Sequence, residues 1–121
     1  MLPLSRRRAL AVIALCFATA ACSSSPPAPV VPSPPLYPNE TPELRALINE
    51  YADLYEIPRP LVHRLAIRES THRPSVRNGP YYGLMQILPA TARTMGHRGS
   101  PESLLDAETN LKYAVKYLRG A

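Results

Sequence analysis

The chain has 121 residues, so it can hold one small globular domain and a multidomain enzyme is excluded. The formal net charge is +5, but residues 42–121 contain eleven basic and eight acidic side chains, an excess of only three. This mild excess, without a basic run interleaved with aromatic residues, is compatible with a polyanionic partner and predicts no nucleic-acid binding.

The first 22 residues are predicted to be an export signal. Residues 6–8 are three arginines, residues 9–21 are apolar and uncharged, and small residues lead up to Cys22. This order is typical of a secretory signal, and the apolar stretch is too short to cross a bilayer as a permanent helix.

Two ways of processing this signal are open. Residues 18–20 (Ala-Thr-Ala) fit a small-x-small cleavage site, which would release a soluble protein. Residues 20–22 (Ala-Ala-Cys), followed by serines, are similar to a bacterial lipobox, in which Cys22 is acylated and becomes the new N-terminus. We favour the lipoprotein, because a cysteine falls at the cleavage point, although Thr19 stands where leucine is usual. In neither case does a thiol remain in the folded part for a disulfide or a metal site.

Residues 23–41 are predicted to be a linker. Seven of the fifteen prolines of the chain lie between Pro26 and Pro38, mixed with serine, alanine and valine. Proline has no N–H to donate and prefers the extended polyproline II conformation. At about 3.1 Å per residue, such a linker would reach roughly 60 Å.

Residues 42–121 are predicted to form an all-α domain. Thr41-Pro42-Glu43 is a helix start, and apolar residues follow at spacings of three and four. We predict three further helices: from Pro58 or Pro60 to between Ser70 and His72, from Pro89 to Gly96, and from a cap at Asp106 onward. The buried stripe of the second helix is predicted to be Leu61, Val62, Leu65 and Ala66. Residues 72–83 are predicted to be a loop with at most a few residues of strand.

One carboxylate continues the apolar stripe of the second helix. Glu69 lies four residues after Leu65 and eight after Leu61, which predicts that it is buried with them. Burial and the negative end of the helix macrodipole both favour the protonated form of a carboxyl group, which is the form that a general acid needs. The alternative is a surface glutamate paired with Arg68 or Arg73.

Sequence blocks between residues 57 and 118 resemble the soluble lytic transglycosylase (SLT) family. In chain order these blocks are Glu69-Ser70, Gly83-Leu84-Met85-Gln86-Ile87, Pro89-Ala90-Thr91-Ala92, and Asp106 to Leu111 followed by Tyr117-Leu118. The resemblance implies a lysozyme-like fold and Glu69 as the catalytic residue. It also implies the reaction, non-hydrolytic cleavage of the β-1,4 bond between N-acetylmuramic acid and N-acetylglucosamine in peptidoglycan. The products carry 1,6-anhydromuramic acid ends, and no cofactor takes part.

The same resemblance implies a set of substrate-binding residues: Ser70, Gly83, Leu84, Met85, Gln86 and Asn110. Tyr81 and Tyr82 are predicted to join this set by stacking on sugar faces, and the alternative is that they are half-buried loop tyrosines. For Gly83 a plain turn is the alternative, and for Met85 it is core packing. Asn110 is also suited to holding the last helix against the loop. The histidines of the domain, His63, His72 and His97, lack the spacing of metal ligands, and no metal site is predicted.

The chain departs from the family pattern in its loop and at its end. Asn78 is the nearest counterpart of a serine that the family carries in the loop, and His72 stands where an aromatic residue is common. Family members continue past the Tyr117-Leu118 helix with an Ala-Tyr-Asn motif, whereas this chain ends at Ala121. We therefore predict a lysozyme-like domain with an incomplete C-terminal part.

The favoured function is that of a lytic transglycosylase, and the alternative is a catalytically inactive, truncated lipoprotein that binds peptidoglycan. The predicted location is the periplasm, with an outer-membrane lipid anchor at Cys22. Glycan strands and the membrane are the predicted partners.

Overall fold

The computed structural model describes residues 25–121, so the predicted signal and Cys22 lie outside the described part. The chain divides into two units after Pro32. The described residues of the first unit, 25–32, are exposed and belong to no helix or strand. Within residues 25–121, every helix falls short of the length and apolar character that a membrane span needs.

The second unit, Ser33–Ala121, is mostly helical. Its elements are α1 (Pro42–Leu54), α2 (Arg59–Ser70), β1 (Arg77–Asn78), β2 (Tyr81–Tyr82), α3 (Pro89–Thr94), a 3₁₀ helix (Pro101–Leu105) and α4 (Ala107–Gly120). The predicted all-α class is confirmed, since the two strands have only two residues each.

The longest helices begin where capping residues predict. The Thr41 hydroxyl accepts a hydrogen bond from the N–H of Leu44 at 3.1 Å, and so satisfies one of the free donors at the start of α1. At α4, the Asp106 carboxylate accepts from the N–H of Thr109 at 2.9 Å. A carboxylate at this end also interacts favourably with the helix macrodipole.

The buried face of α2 is narrower than the predicted stripe. Val62 and Ala66 are buried as predicted, together with Ser70, whereas Leu61 is 41% exposed and Leu65 is partly buried. Leu61 and Leu65 lie beside the face that packs with α1 and α4, and Glu69, four residues after Leu65, lies on the same flank.

A hairpin connects α2 to α3. Its strands pair antiparallel, with Arg77 opposite Tyr82 and Asn78 opposite Tyr81. Gly79, in the turn, has a φ of 56°, a conformation that glycine adopts at little cost. Tyr82 also exchanges backbone hydrogen bonds with Ile87, at 3.0 and 3.1 Å, so residues 82–87 close a second, tighter turn.

Two adjoining apolar clusters form the core. The first joins α1, α2 and α4 and includes the fully buried Leu84, and the second contains Tyr82 and Ile87 together with α3 and the 3₁₀ helix. The 82–87 turn therefore contributes to both clusters. Packing on both sides fixes its position relative to α2 and α4.

Residues 33–41, which composition assigned to the linker, lie within the second unit. The Arg45 guanidinium donates hydrogen bonds to the carbonyls of Pro34 and Pro35, and the Tyr37 ring stacks on His72 with 5.5 Å between centroids. A proline-rich composition predicts an extended backbone, but it does not predict whether that backbone lies free or against a domain.

Candidate active site

The C-terminal end of α2 carries Glu69, one residue before the helix ends at Ser70. The next residue, Thr71, adopts the left-handed conformation (φ 52°, ψ 47°) and its N–H bonds to the carbonyl of Ile67 at 2.9 Å. A β-branched residue rarely adopts this conformation, so the surrounding structure must hold it. The turn redirects the chain immediately after Glu69.

The Glu69 side chain is partly buried, with 36% of its surface exposed. Its Oε1 lies 3.8 Å from Nε of Arg68, a side chain that is 81% exposed. Arg73 makes a different contact, donating to the Ser70 carbonyl at 3.2 Å. Burial of Glu69 is thus less complete than the sequence predicted, because its stripe lies beside the core and not within it.

Two cavities adjoin at this end of α2. The polar one, of about 470 Å³, is lined by Arg68, Glu69, Asn78, Tyr81 and Gln86. The other, of about 350 Å³, is bordered mainly by apolar side chains of α2, the 82–87 turn, α3 and α4: Leu65, Met85, Ile87, Leu88, Ala114 and Leu118, with Tyr81, Gln86, Thr91 and Tyr117. Apolar walls combined with a few polar groups are typical of a site for a sugar-sized ligand.

Tyr81 and Gln86 line both cavities and stand at their junction. Tyr81 is 45% exposed, so its ring is available for stacking on a sugar face. The Gln86 amide donates to the carbonyls of Gly83, at 2.7 Å, and Val76, at 3.1 Å, while its Oε1 accepts from Asn78 at 3.1 Å. Most of its hydrogen-bonding capacity therefore braces the turn, and one lone pair of Oε1 remains for a ligand.

Gly83 lies where the turn passes closest to the rest of the domain. Its φ is 77°, and a Cβ atom there would overlap the Leu104 carbonyl oxygen and the Asn110 amide nitrogen. Its own N–H donates to Val76 at 2.7 Å. Both the backbone conformation and the lack of space require glycine, so the close approach is to the protein's own backbone and to Asn110.

Asn110, fully buried at the start of α4, holds the turn from behind. Its Oδ1 accepts from the N–H of Met85 at 2.9 Å, and its Nδ2 donates to the carbonyls of Tyr82 and Leu104 at 2.8 and 2.9 Å. These bonds use both donors and one lone pair of the amide. The structure places Asn110 beneath the turn, in the role of holding α4 against the loop.

The other residues predicted to bind substrate divide into two groups. Met85 borders the apolar cavity. Ser70, Tyr82 and Leu84 are buried; the Ser70 hydroxyl bonds to the Ala66 carbonyl at 3.1 Å, and Leu84 belongs to the core. Their side chains support the site from inside, because buried side chains are not available to a ligand in this conformation.

Some residues of the two cavities were not predicted from the sequence. Tyr117, favoured as a core residue, is 51% exposed and lines the apolar cavity with Leu118. Leu65 and Arg68 also line these cavities. For Tyr117 and Leu118, the nearest sequence signal was their position at the outer end of the apolar face of α4.

One carboxylate (Glu69), one side-chain amide (Gln86) and one exposed tyrosine (Tyr81) thus lie around two adjoining cavities. Among residues 25–121, Glu69 is the one acidic residue that lines either of these two cavities. A carboxyl group that lines a cavity is a candidate general acid for a ligand bound there.

Comparison with known proteins gives a family and nothing narrower. The family model described as "Transglycosylase SLT domain" matches residues 46–121. Comparisons with curated proteins and with solved structures found no match. The family match covers more than half of the chain and includes α2, the hairpin, the 82–87 turn and α4. The chain therefore belongs to the transglycosylase SLT domain family.

Proposed function

We propose that the chain is a peptidoglycan lytic transglycosylase that uses Glu69 as its catalytic residue. It cleaves the β-1,4 bond between N-acetylmuramic acid and N-acetylglucosamine without water and leaves a 1,6-anhydromuramic acid end. The observation that supports this most directly is the position of Glu69 in a polar cavity that is also lined by Gln86, a residue of the family motif that braces the 82–87 turn.

The proposed reaction uses one carboxyl group twice. Protonated Glu69 donates its proton to the glycosidic oxygen as the bond from that oxygen to C1 of the muramic acid breaks. The 6-hydroxyl of the same sugar then attacks C1, and the Glu69 carboxylate takes the hydroxyl proton as the anhydro ring closes. Hydrolysing glycosidases usually need a second carboxylate to activate water or to trap the sugar. An intramolecular hydroxyl removes that need, because its effective concentration is very high.

Substrate binding completes the surroundings of the carboxyl group. In the free protein Glu69 is 36% exposed and lies near Arg68. In the proposed complex a glycan over the polar cavity covers the remaining exposed surface and excludes water, so the carboxyl group exchanges its proton with the glycan and not with solvent.

We also propose that the domain works outside the cytoplasm, in the periplasm, with Cys22 acylated at the outer membrane. The support is the arginine, apolar and small-residue order of the first 22 residues and the peptidoglycan substrate that the proposed reaction implies. Metabolic labelling with a radioactive fatty acid tests this, since Cys22→Ser should abolish the label while Cys16→Ser retains it. Label on both variants, or on neither the variants nor the wild type, would contradict lipidation.

The activity is tested with purified peptidoglycan and mass spectrometry of the released fragments. We expect anhydro ends from the wild type and a loss of at least about 100-fold in Glu69→Gln, since general acid–base catalysis contributes that much or more. Glu102→Gln, an exposed glutamate on the 3₁₀ helix, is the matched control and should retain activity. Reducing ends in place of anhydro ends would show that water is the nucleophile.

A second candidate is a non-catalytic protein that binds peptidoglycan. The observation that favours it is the 36% exposure of Glu69, which leaves this carboxyl group in contact with water in the free protein. This candidate predicts that the chain cosediments with insoluble peptidoglycan, releases no fragments, and binds equally well as Glu69→Gln.

A further inference from the structure

A second cluster of chemically capable side chains lies outside the site described above. Glu40, His63 and His72 each direct one possible ligand atom to a common point, and these atoms all lie within 4.8 Å of one another. Sequence spacing did not predict this, because Glu40 precedes α1, His63 lies within α2, and His72 follows α2. The side chains of Glu40 and His72 are fully buried, and that of His63 is 13% exposed.

The carboxylate of the cluster is held in place by hydrogen bonds that Arg45 and the N–H of Tyr37 donate to it. Arg45 contacts both oxygens, at 3.1 Å for Oε1 and 2.7 Å for Oε2. Each carboxylate oxygen has a second lone pair, so Oε1 can still bind a cation while Arg45 is in place.

His63 presents a lone pair to this carboxylate. Its Nε2 lies 2.9 Å from the Asn49 side-chain oxygen, and an N–H on Nε2 satisfies that acceptor. In this tautomer the other nitrogen, Nδ1, has no proton, and it faces Oε1 of Glu40 at 3.4 Å. Nδ1 has no hydrogen-bond partner among the described residues. Two acceptors that face each other without a hydrogen between them repel, unless a cation lies there.

His72 has no hydrogen bond to either ring nitrogen among the described residues, although both atoms are buried. Burying polar nitrogen atoms without hydrogen-bond partners is destabilising, and a ligand bound to them would remove that cost. The left-handed turn at Thr71 and His72 places the ring here, where it stacks on Tyr37 and directs Nε2 toward Oε1 of Glu40 at 4.0 Å.

We propose that Glu40, His63 and His72 bind one zinc-type divalent cation, through Oε1, Nδ1 and Nε2 respectively. Two imidazole nitrogens with one carboxylate oxygen are a common zinc donor set, with bonds of about 2.0–2.2 Å. In a tetrahedron with such bonds, neighbouring donor atoms lie roughly 3.3 Å apart. Oε1 of Glu40 lies 3.4 Å from Nδ1 of His63 and 4.0 Å from Nε2 of His72. Small side-chain movements would bring these distances to the tetrahedral spacing.

The site has an entrance and an outer shell. A cavity of about 350 Å³ lies beside His63 and is also lined by Tyr37, Arg45 and Asn49, which gives an ion and its water ligand a path. The Asn49 contact to Nε2 of His63 is the outer hydrogen bond that fixes the orientation of a metal-binding histidine. A bound ion would join Glu40, before α1, to His63, within α2, and to His72, which follows α2. Of these ligands, His72 lies three residues from Glu69 along the chain.

The test is zinc binding by the whole chain after removal of metal with EDTA. Titration with zinc chloride against a chromogenic chelator should show one ion per chain and a rise in the melting temperature. His63→Gln and His72→Gln should each weaken binding at least about tenfold, since loss of an outer-shell partner alone costs that much. His97→Gln is the matched control, because His97 is buried but pairs with Ser103 at 2.8 Å, and it should bind normally.

A folding check and a cysteine control complete the test. Circular dichroism in EDTA checks that each variant is folded, and His63→Gln carries the test if His72→Gln is not. Cys16→Ser/Cys22→Ser should bind zinc as the wild type does, since neither thiol belongs to the site. Absence of one-to-one binding, or equal binding by His63→Gln and His97→Gln, would overturn the proposal. The result does not depend on peptidoglycan cleavage and stands or falls separately from the proposed function.

Discussion

The two sides of the 82–87 turn differ in the burial and hydrogen bonding of the polar groups around them. On the inner side, the turn's contacts to Asn110 are hydrogen-bonded and buried, and Gly83 leaves no space for a side chain. On the outer side, Glu69, Tyr81 and Gln86 border open cavities and are partly or largely exposed. The family motif therefore combines residues that fix a backbone with residues that face a ligand. Substitutions should separate stability from activity accordingly.

The largest loss of stability is expected for Gly83→Ala. Its φ of 77° and the overlap with Leu104 and Asn110 together should cost about 3 kcal/mol or more of unfolding free energy. Gly79→Ala is the matched control, because it has a similar φ of 56° but no atom within 4 Å, and it should cost only about 1–2 kcal/mol. Urea unfolding measures both. Equal losses would show that the inner side has room to adjust.

Asn110→Ala is expected to follow closely. It removes three hydrogen bonds and leaves the Met85 N–H and two carbonyls without their partner, at a cost of about 2–4 kcal/mol. Thr94→Ala removes one exposed hydrogen bond, from the Thr94 hydroxyl to the Thr91 carbonyl, and should cost less than about 1 kcal/mol. A loss for Asn110→Ala no larger than that of the control would mean that water readily replaces the buried amide.

Tyr51→Phe tests a buried hydrogen bond that lies away from the turn. The buried Tyr51 hydroxyl donates to Glu108 at 3.0 Å, linking α1 to α4, and its removal should cost about 1 kcal/mol at neutral pH. Burial, together with the bond to Glu108, raises the pKa of Tyr51 to about 12. This contribution is present below pH 10, the ordinary tyrosine value, and is lost as the pH rises toward 12, because the unfolded chain ionises first.

The stability difference between wild type and Tyr51→Phe should therefore shrink between pH 10 and 12. Tyr117→Phe is the control, because Tyr117 is 51% exposed, and its difference should stay flat. Absorbance titration checks the cause directly, since the late-ionising phenol should disappear in Tyr51→Phe. A constant difference across this range would show that the Tyr51 hydroxyl is not specially protected.

The smallest effect on stability is expected at the outer side, for Glu69→Gln. Its side chain is partly exposed and stands at the negative end of α2, so the unfolding free energy should change by less than about 0.5 kcal/mol. Thermal unfolding of the same preparation used for activity measures this. A loss of several kcal/mol would place Glu69 with the inner, structural residues and remove the contrast between the two sides.

Local signals predicted the fold well. The capping groups Thr41 and Asp106 start α1 and α4 as expected, because a cap depends on residues three positions apart at most. On α2 the predicted burial of Val62 and Ala66 was right and that of Leu61 and Leu65 was wrong, since all four are apolar and only the neighbouring helices decide which are buried. That difference changes Glu69 from a predicted core carboxylate into one at the edge of a cavity.

Three residues that the sequence singled out, Glu69, Tyr81 and Gln86, line one cavity. The hydrogen bonds between Asn110 and the turn were not predictable, because they join residues 25 or more positions apart along the chain. The histidine cluster was missed for the same physical reason. Its members lie on three segments whose meeting depends on the left-handed turn after α2.

Residues 33–41 belong to the folded unit, which shortens the segment available as a linker. If Cys22 is the membrane attachment point, as proposed, that linker ends near Pro32. Its described part, residues 25–32, would span about 25 Å when fully extended, against roughly 60 Å for the whole proline-rich stretch. A domain with the proposed activity, held at so short a distance, would act on the glycan strands nearest its own membrane, so distance as well as chemistry would select its substrate.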